Sequence, residues 1–198
     1  MSIFSDLLEE EIDASKVEDA RAWYREKANE VTTRIDTRRF IASNMSMQES
    51  KVRLGHFYIY RYDPKHKSTL PYYDAFPVTI VIKRDKDGFL GLNLHYLPYQ
   101  YRLVLMDSLY DFVTGSNDTT RIRVTYRILN NVSKLRFFRP CIKYYLNNNV
   151  QTRFLHIPVE DWDVAAFLPL QRFYKQKINR VHRDSVLQIR SALTREYT

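Results

Sequence analysis

The sequence predicts an α+β fold: a small, curved antiparallel sheet wrapped by helices, with a helical arm at the N-terminus. Three observations carry this expectation. Runs rich in β-branched and aromatic residues lie between residues 54 and 97 and are divided by turn residues. Apolar residues recur at helical spacing from residue 99 onward. A polar stretch without periodicity, Ala42 to Ser50, separates the first helices from the rest. At 198 residues the chain is long enough for one domain with a substantial core. The expected division is an arm and linker over 1–50 and a single α+β domain over 51–198.

In the arm, Ile3, Phe4, Leu7, Leu8 and Ile12 recur at helical spacing and put the acids of the first turns on the opposite face. Ser15 followed by Glu18 reads as a capping box. It opens a second helix, striped by Val17, Ala20, Tyr24, Ala28, Val31 and Ile35 and ending near Thr37. Leu54–Tyr62 alternates as a strand until Asp63-Pro64 breaks it. Pro77 opens the strand Val78–Lys83, and Asp85-Lys86-Asp87-Gly88 turns it into a third strand, Phe89–Leu97. Pro98 stands at a helix start, and Leu105, Met106, Leu109, Phe112 and Val113 give that helix an apolar face until Gly115 ends it.

Arg121–Asn131 fits a strand or a helix. Its length and Asp118 as N-cap favour the helix. Pro140 to Leu146 reads as a short helix ended by three asparagines. Asp161–Phe167 is a helical turn between Pro158 and Pro169, and Lys175 to Leu193 is a final basic helix.

The net charge of +8 is unevenly spread. Residues 1–20 hold seven acids against Lys16, a net of −6, which leaves +14 on the rest. An acidic head on a basic body implies either self-masking or two separate partners. From Thr119 to Val159 there is no Asp or Glu, yet the stretch carries Arg121, Arg123, Arg127, Lys134, Arg136, Arg139, Lys143 and Arg153. Uncompensated positive charge repels itself, so a folded surface that keeps it meets an anion. Six aromatics are interleaved: Tyr126, Phe137, Phe138, Tyr144, Tyr145 and Phe154. Cations for phosphates and rings for bases compose a nucleic-acid surface. The alternative is a basic face for an acidic protein, with the rings in the core.

Other chemistry finds little support. Cys141 is the only cysteine, so no intramolecular disulfide forms, and a reducing compartment fits. Cys141 follows a proline beside Arg139 and Lys143, a setting that can lower a thiol pKa, but no histidine partner is evident and a buried thiol is expected. Histidines 56, 66, 95, 156 and 182 lack metal-ligand spacing on one helix, so no metal or cofactor is expected. A metal-dependent nuclease needs clustered carboxylates, which the acid-free stretch does not supply. Gly88-Phe89-Leu90-Gly91 lacks the lysine and the strand-to-helix setting of a phosphate loop. Neither a signal peptide nor an apolar run of 18 residues is visible, so a soluble, non-enzymatic binding or structural protein is expected.

Two motifs then stand out: Leu70-Pro71-Tyr72-Tyr73-Asp74-Ala75-Phe76-Pro77, and Gly88-Phe89-Leu90-Gly91-Leu92-Asn93-Leu94-His95-Tyr96-Leu97-Pro98. With Phe138-Arg139-Pro140-Cys141-Ile142-Lys143, Glu160-Asp161-Trp162 and Phe167-Leu168-Pro169, they make the chain resemble a virion-protein family of contractile-tailed bacteriophages, of the DNA end protector type. The likeness spans about residues 54–185 and leaves the arm outside.

The resemblance implies a protein of the virion, assembled in the host cytoplasm, that binds double-stranded DNA at the packaged terminus and contacts other phage virion proteins. It implies no membrane and no small-molecule substrate. A structural neck or baseplate subunit that never touches DNA is the alternative. In either case the apolar face of Ile3, Phe4, Leu7 and Leu8, with Tyr24, is expected to dock on a neighbouring protein. A second likeness, to the strand order of small SH3-like barrels of messenger-RNA-cleaving toxins, is broken by the arm and the helical C-terminal half.

Overall fold

The computed structural model describes residues 37–99, 101–102 and 136–194. The expected arm helices, the helix over 105–113 and the segment 121–131 lie outside them. The sheet is organised around the turn at Asp85. Its carboxylate accepts the backbone N–H groups of Asp87 (3.1 Å) and Gly88 (2.9 Å), an Asx turn that reverses the chain. The turn joins β4 (Val78–Arg84) to β5 (Gly88–Asn93) in antiparallel register, Ile80 opposite Leu92, with a bulge between Val81 and Lys83. β2 (Phe57–Ile59) pairs with the other edge of β4.

Three short segments complete the sheet: β1 (Gln48–Glu49), β6 (Ile142–Leu146) and β7 (Phe154–Ile157). The order is β1-β7-β2-β4-β5-β6, antiparallel throughout. A separate two-stranded sheet pairs β3 (Tyr73–Asp74) with β8 (Phe173–Tyr174). Among the described residues α1 is Thr37–Ser43, α2 is Trp162–Phe167 and α3 is Ile178–Thr194.

Both faces of the main sheet are buried, so β2 reads as fully buried rather than alternating. On one face Phe57, Ile80, Leu92 and Leu94 meet Trp162, Ala165 and Phe167 of α2 and Val181 and Ile189 of α3. The other face is an aromatic core of Tyr58, Tyr60, Tyr62, Phe89, Tyr145 and Phe154. Its rings meet mostly edge to face, as Tyr60 does with Tyr145 at 5.4 Å, the arrangement that aromatic quadrupoles favour. Each buried phenol hydroxyl there has a partner: Glu49 for Tyr58, Thr79 for Tyr60, the Leu146 N–H for Tyr62 and Asn93 for Tyr145. Close strand approach fixes the two glycines of β5. A Cβ at Gly88 would strike the Tyr145 carbonyl oxygen, and one at Gly91 the Thr79 methyl.

Several expectations need correction. Pro140–Leu146 is not a helix: Pro140 sits in a 3-10 turn, Arg136–Cys141, and Ile142–Leu146 is strand β6 along β5. The β propensity of Ile-Lys-Tyr-Tyr is satisfied by an edge some fifty residues earlier in the chain. The third strand stops at Asn93, because the Asn93 side chain accepts the His95 N–H and turns Leu94–Tyr96 into a 3-10 helix. Helical structure is present over Thr37–Ser43, past the end expected near Thr37, and 45–49 is no structureless linker. Phe40 enters the core, and Gln48 and Glu49 pair with Leu155 and Phe154.

Other expectations hold. The Pro98 carbonyl accepts the Tyr101 and Arg102 N–H groups, so a helix does begin there. α2 lies between the two prolines, and α3 buries Val181, Ser185 and Ile189 along one stripe.

Arg102 is fully buried beneath this architecture. Its guanidinium donates to the Leu97 and Ala166 carbonyls at 2.8 Å and to the His95 carbonyl at 3.4 Å, and lies 4.6 Å from the Tyr99 ring centre. Burial lowers its pKa to about 10, so it stays charged at neutral pH while satisfying backbone oxygens near the end of α2.

Candidate nucleic-acid interface

Of the eight cations expected to form the interface, Arg121, Arg123, Arg127 and Lys134 lie outside the described residues. Arg136 and Arg139 belong to the 3-10 turn ahead of β6, with Arg139 exposed. Arg153 is exposed just ahead of β7. In the sheet β6 and β7 are separated by β5, β4 and β2, so sheet order does not set Arg139 beside Arg153. Lys143 is half-buried on β6, its ammonium 4.1 Å from the Tyr96 ring centre, and burial lowers its pKa. The interleaved rings divide: Phe138, Tyr145 and Phe154 are core residues, whereas Tyr144 is exposed with its hydroxyl 2.6 Å from Asp85. Ile3, Phe4, Leu7, Leu8 and Tyr24 fall outside the described residues.

A second group of cations gathers around the excursion between β2 and β4. Asp74, 3% exposed, pins this segment. One of its oxygens accepts His95 Nδ1–H (2.7 Å) and Asn93 Nδ2 (3.1 Å). The other accepts the backbone N–H groups of Phe76 (3.0 Å) and Arg172 (3.2 Å). Burial pushes both Asp74 and His95 towards neutrality. In Asp74 the interactions with His95 and the other donors outweigh it and hold the carboxyl below its ordinary value. In His95 burial wins and the imidazole stays neutral, with no hydrogen-bond partner for Nε2 among the described residues.

Lys175 supplies a second clamp. Its backbone is left-handed (φ 69°), and its ammonium donates to the Ser68 and Leu70 carbonyls at 2.7 and 2.8 Å. The excursion is thereby tied to β8 and the start of α3.

Two clefts share Tyr62 and Tyr73 as a common wall. The first, about 480 Å³, is lined by Arg61, Lys67, Arg172 and the stacked pair Tyr73 and Tyr174 (5.3 Å between centres). The second, about 570 Å³, is walled by Pro71, Tyr72, Tyr96 and Tyr144, with Lys65 and Lys143 among its lining. Further along, Lys175, Lys177, Arg180 and Arg183 line a shallow concavity at the start of α3. From Arg172 to Thr194 the only acid is Asp184, bridged to Arg180 at 3.0 Å. The sequence signalled α3 as basic; the cations around Tyr73 carry no local motif and meet only through β3–β8 pairing.

The hydrogen bonds of the buried Asp74–His95 pair brace the chain between β2 and β4. The Cys141 thiol is buried, pushed up to about 12, and donates to the Phe138 carbonyl. Among the described residues no three His, Cys, Asp or Glu side chains could hold a metal ion, and no helix is long and apolar enough to cross a membrane.

Buried polar groups stiffen a scaffold that turns cations and tyrosines outward, a chemistry suited to a polyanion. The family fits that chemistry: the chain belongs to the family of the phage T4 terminal DNA protecting protein, whose model matches residues 8–188. The match takes in most of the N-terminal segment, which the likeness over 54–185 had left outside, so residues 8–50 are part of the family pattern. No curated protein and no solved structure matches the chain.

Proposed function

We propose that this protein is a non-enzymatic component of the virion of a contractile-tailed phage, which binds the terminus of the packaged double-stranded DNA near the head–tail junction. Membership of the terminal DNA protecting family over residues 8–188 carries this reading. Its cations support it. Arg121, Arg123, Arg127, Lys134, Arg136, Arg139 and Arg153 supply one set, and Lys177, just ahead of α3, with Arg183 on α3 supplies a second, beside Arg180, which is paired with Asp184. Lys143, packed on Tyr96, serves the wall of the aromatic cleft rather than a phosphate. The acidic arm, through Ile3, Phe4, Leu7, Leu8 and Tyr24, docks on a neighbouring virion protein, its negative charge steering the approach.

Salt dependence tests the reading. Four phosphate contacts give a log–log slope of about −3.6, a loss of roughly a hundredfold in affinity between about 50 and 200 mM salt. Changing Arg123 and Arg127 together to Ala reduces the slope by about 2, and Lys177→Ala with Arg183→Ala does the same for the α3 set. Binding that ignores salt, or no binding at the lower salt, overturns the DNA reading.

A further inference from the structure

The two clefts that meet at Tyr73 have complementary chemistries. The smaller carries cations beside its rings, with Arg61 and Arg172 exposed and Lys67 held to Asp63 at 2.9 Å. The larger is walled by rings, and its volume of about 570 Å³ falls in the range of about 300–1,000 Å³ usual for small-ligand sites. The exposed tyrosines among the described residues, Tyr144 at 44% and Tyr174 at 47%, stand one at each cleft. Leaving such rings in water costs hydrophobic free energy that a stacked base recovers. The wall between the clefts is held by the four donors on Asp74 and by the Lys175 clamp, so the site is preorganised.

We propose that this double cleft captures the last nucleotide of one DNA strand, unpaired from its complement. The base enters the aromatic cleft between Tyr72, Tyr96 and Tyr144, and its phosphate lies across the wall on Arg61 and Arg172. The inference rests on the DNA reading above and adds a reason for preferring an end: only a terminal nucleotide swings out of a duplex without breaking pairs on both sides. Lys65 and Lys143 add positive charge at the aromatic cleft.

The test compares two duplexes of equal phosphate count, one with open ends carrying a single-nucleotide overhang of 2-aminopurine, the other closed by hairpins at both ends. The open duplex binds about tenfold more tightly, and its 2-aminopurine fluorescence changes on saturation, the expected reading of one stacked base. Tyr144→Ala, and Arg61→Ala with Arg172→Ala, remove the preference and the fluorescence change but leave hairpin-duplex affinity within about threefold; all three side chains are exposed, so folding is retained. Equal affinity for both duplexes, or unchanged fluorescence at saturation, overturns the nucleotide site while the DNA reading stands. Failure to bind either duplex overturns both.

Discussion

Asp74→Asn isolates the contribution of the buried carboxylate, because the change is nearly isosteric and removes one charge and one acceptor. In the native protein one oxygen faces two donors, His95 Nδ1 and Asn93 Nδ2, and the other faces the N–H groups of Phe76 and Arg172. Whichever way the amide is oriented, its NH₂ group meets two donors. Two charge-assisted hydrogen bonds worth about 1.5–3 kcal/mol each are lost, and buried donors are left unpaired. The expected loss is therefore about 3–5 kcal/mol, in the range for breaking a buried charged pair. For a chain of this size that lowers the thermal midpoint by roughly 6–20 °C. Urea denaturation at pH 7 measures the loss directly, and limited proteolysis shows new cleavage in the excursion at 63–72 if Asp74 pins it. A loss below about 1 kcal/mol with no new cleavage refutes the bracing role.

Further outcomes follow from the buried histidines and the arm. Burial, then Arg102, lowers the pKa of His182 to about 4, and its Nε2–H donates to the His95 carbonyl. Between the ordinary value of 6.5 and about 4 the unfolded chain takes up a proton at His182 that the folded chain refuses, so stability falls with pH, by about 3 kcal/mol for this group. His95 and the partly exposed His56 act in the same direction. Denaturation across that window shows the fall, and His182→Gln flattens it; an unchanged profile contradicts the assignment. Removal of residues 1–36 leaves the body folded, with its midpoint lowered by less than about 5 °C in a thermal scan, and abolishes incorporation into particles. Aggregation of the truncated body shows instead that the arm belongs to the core.

Much of the fold was legible where the signal is local. The Asp85–Gly88 turn, the β4 run, the prolines around α2 and the helical character of α3 all depend on neighbours a few residues away. Strands β1, β6 and β7 were not legible, since each is short and owes its conformation to a distant edge. In the same way the basic run from 121 to 153 is contiguous in sequence, but Arg139 lies ahead of β6 and Arg153 ahead of β7, strands that are not neighbours in the sheet. The aromatics of that run illustrate the limit of composition: Tyr144 and Tyr145 are adjacent, yet one is exposed and the other is 4% exposed in the core, because successive strand residues face opposite ways. Asp74 lay within a motif that pointed to the family, but its partners Asn93, His95 and Arg172 are joined to it only by the folded chain. The double cleft had no sequence signature, for its walls come from β3, β6, β8 and the chain between β2 and β4, which only the fold brings together.

A terminal DNA protecting protein holds and shields a DNA end. Exonuclease digestion of a linear duplex tests it most directly, with an endonuclease acting on a closed circle of the same DNA as control. Saturating protein at low salt is expected to stop digestion of the linear duplex from its ends, to leave endonuclease cleavage of the circle nearly unchanged, and to lose its effect as salt rises. Digestion of the bound linear duplex at the rate of free DNA contradicts it.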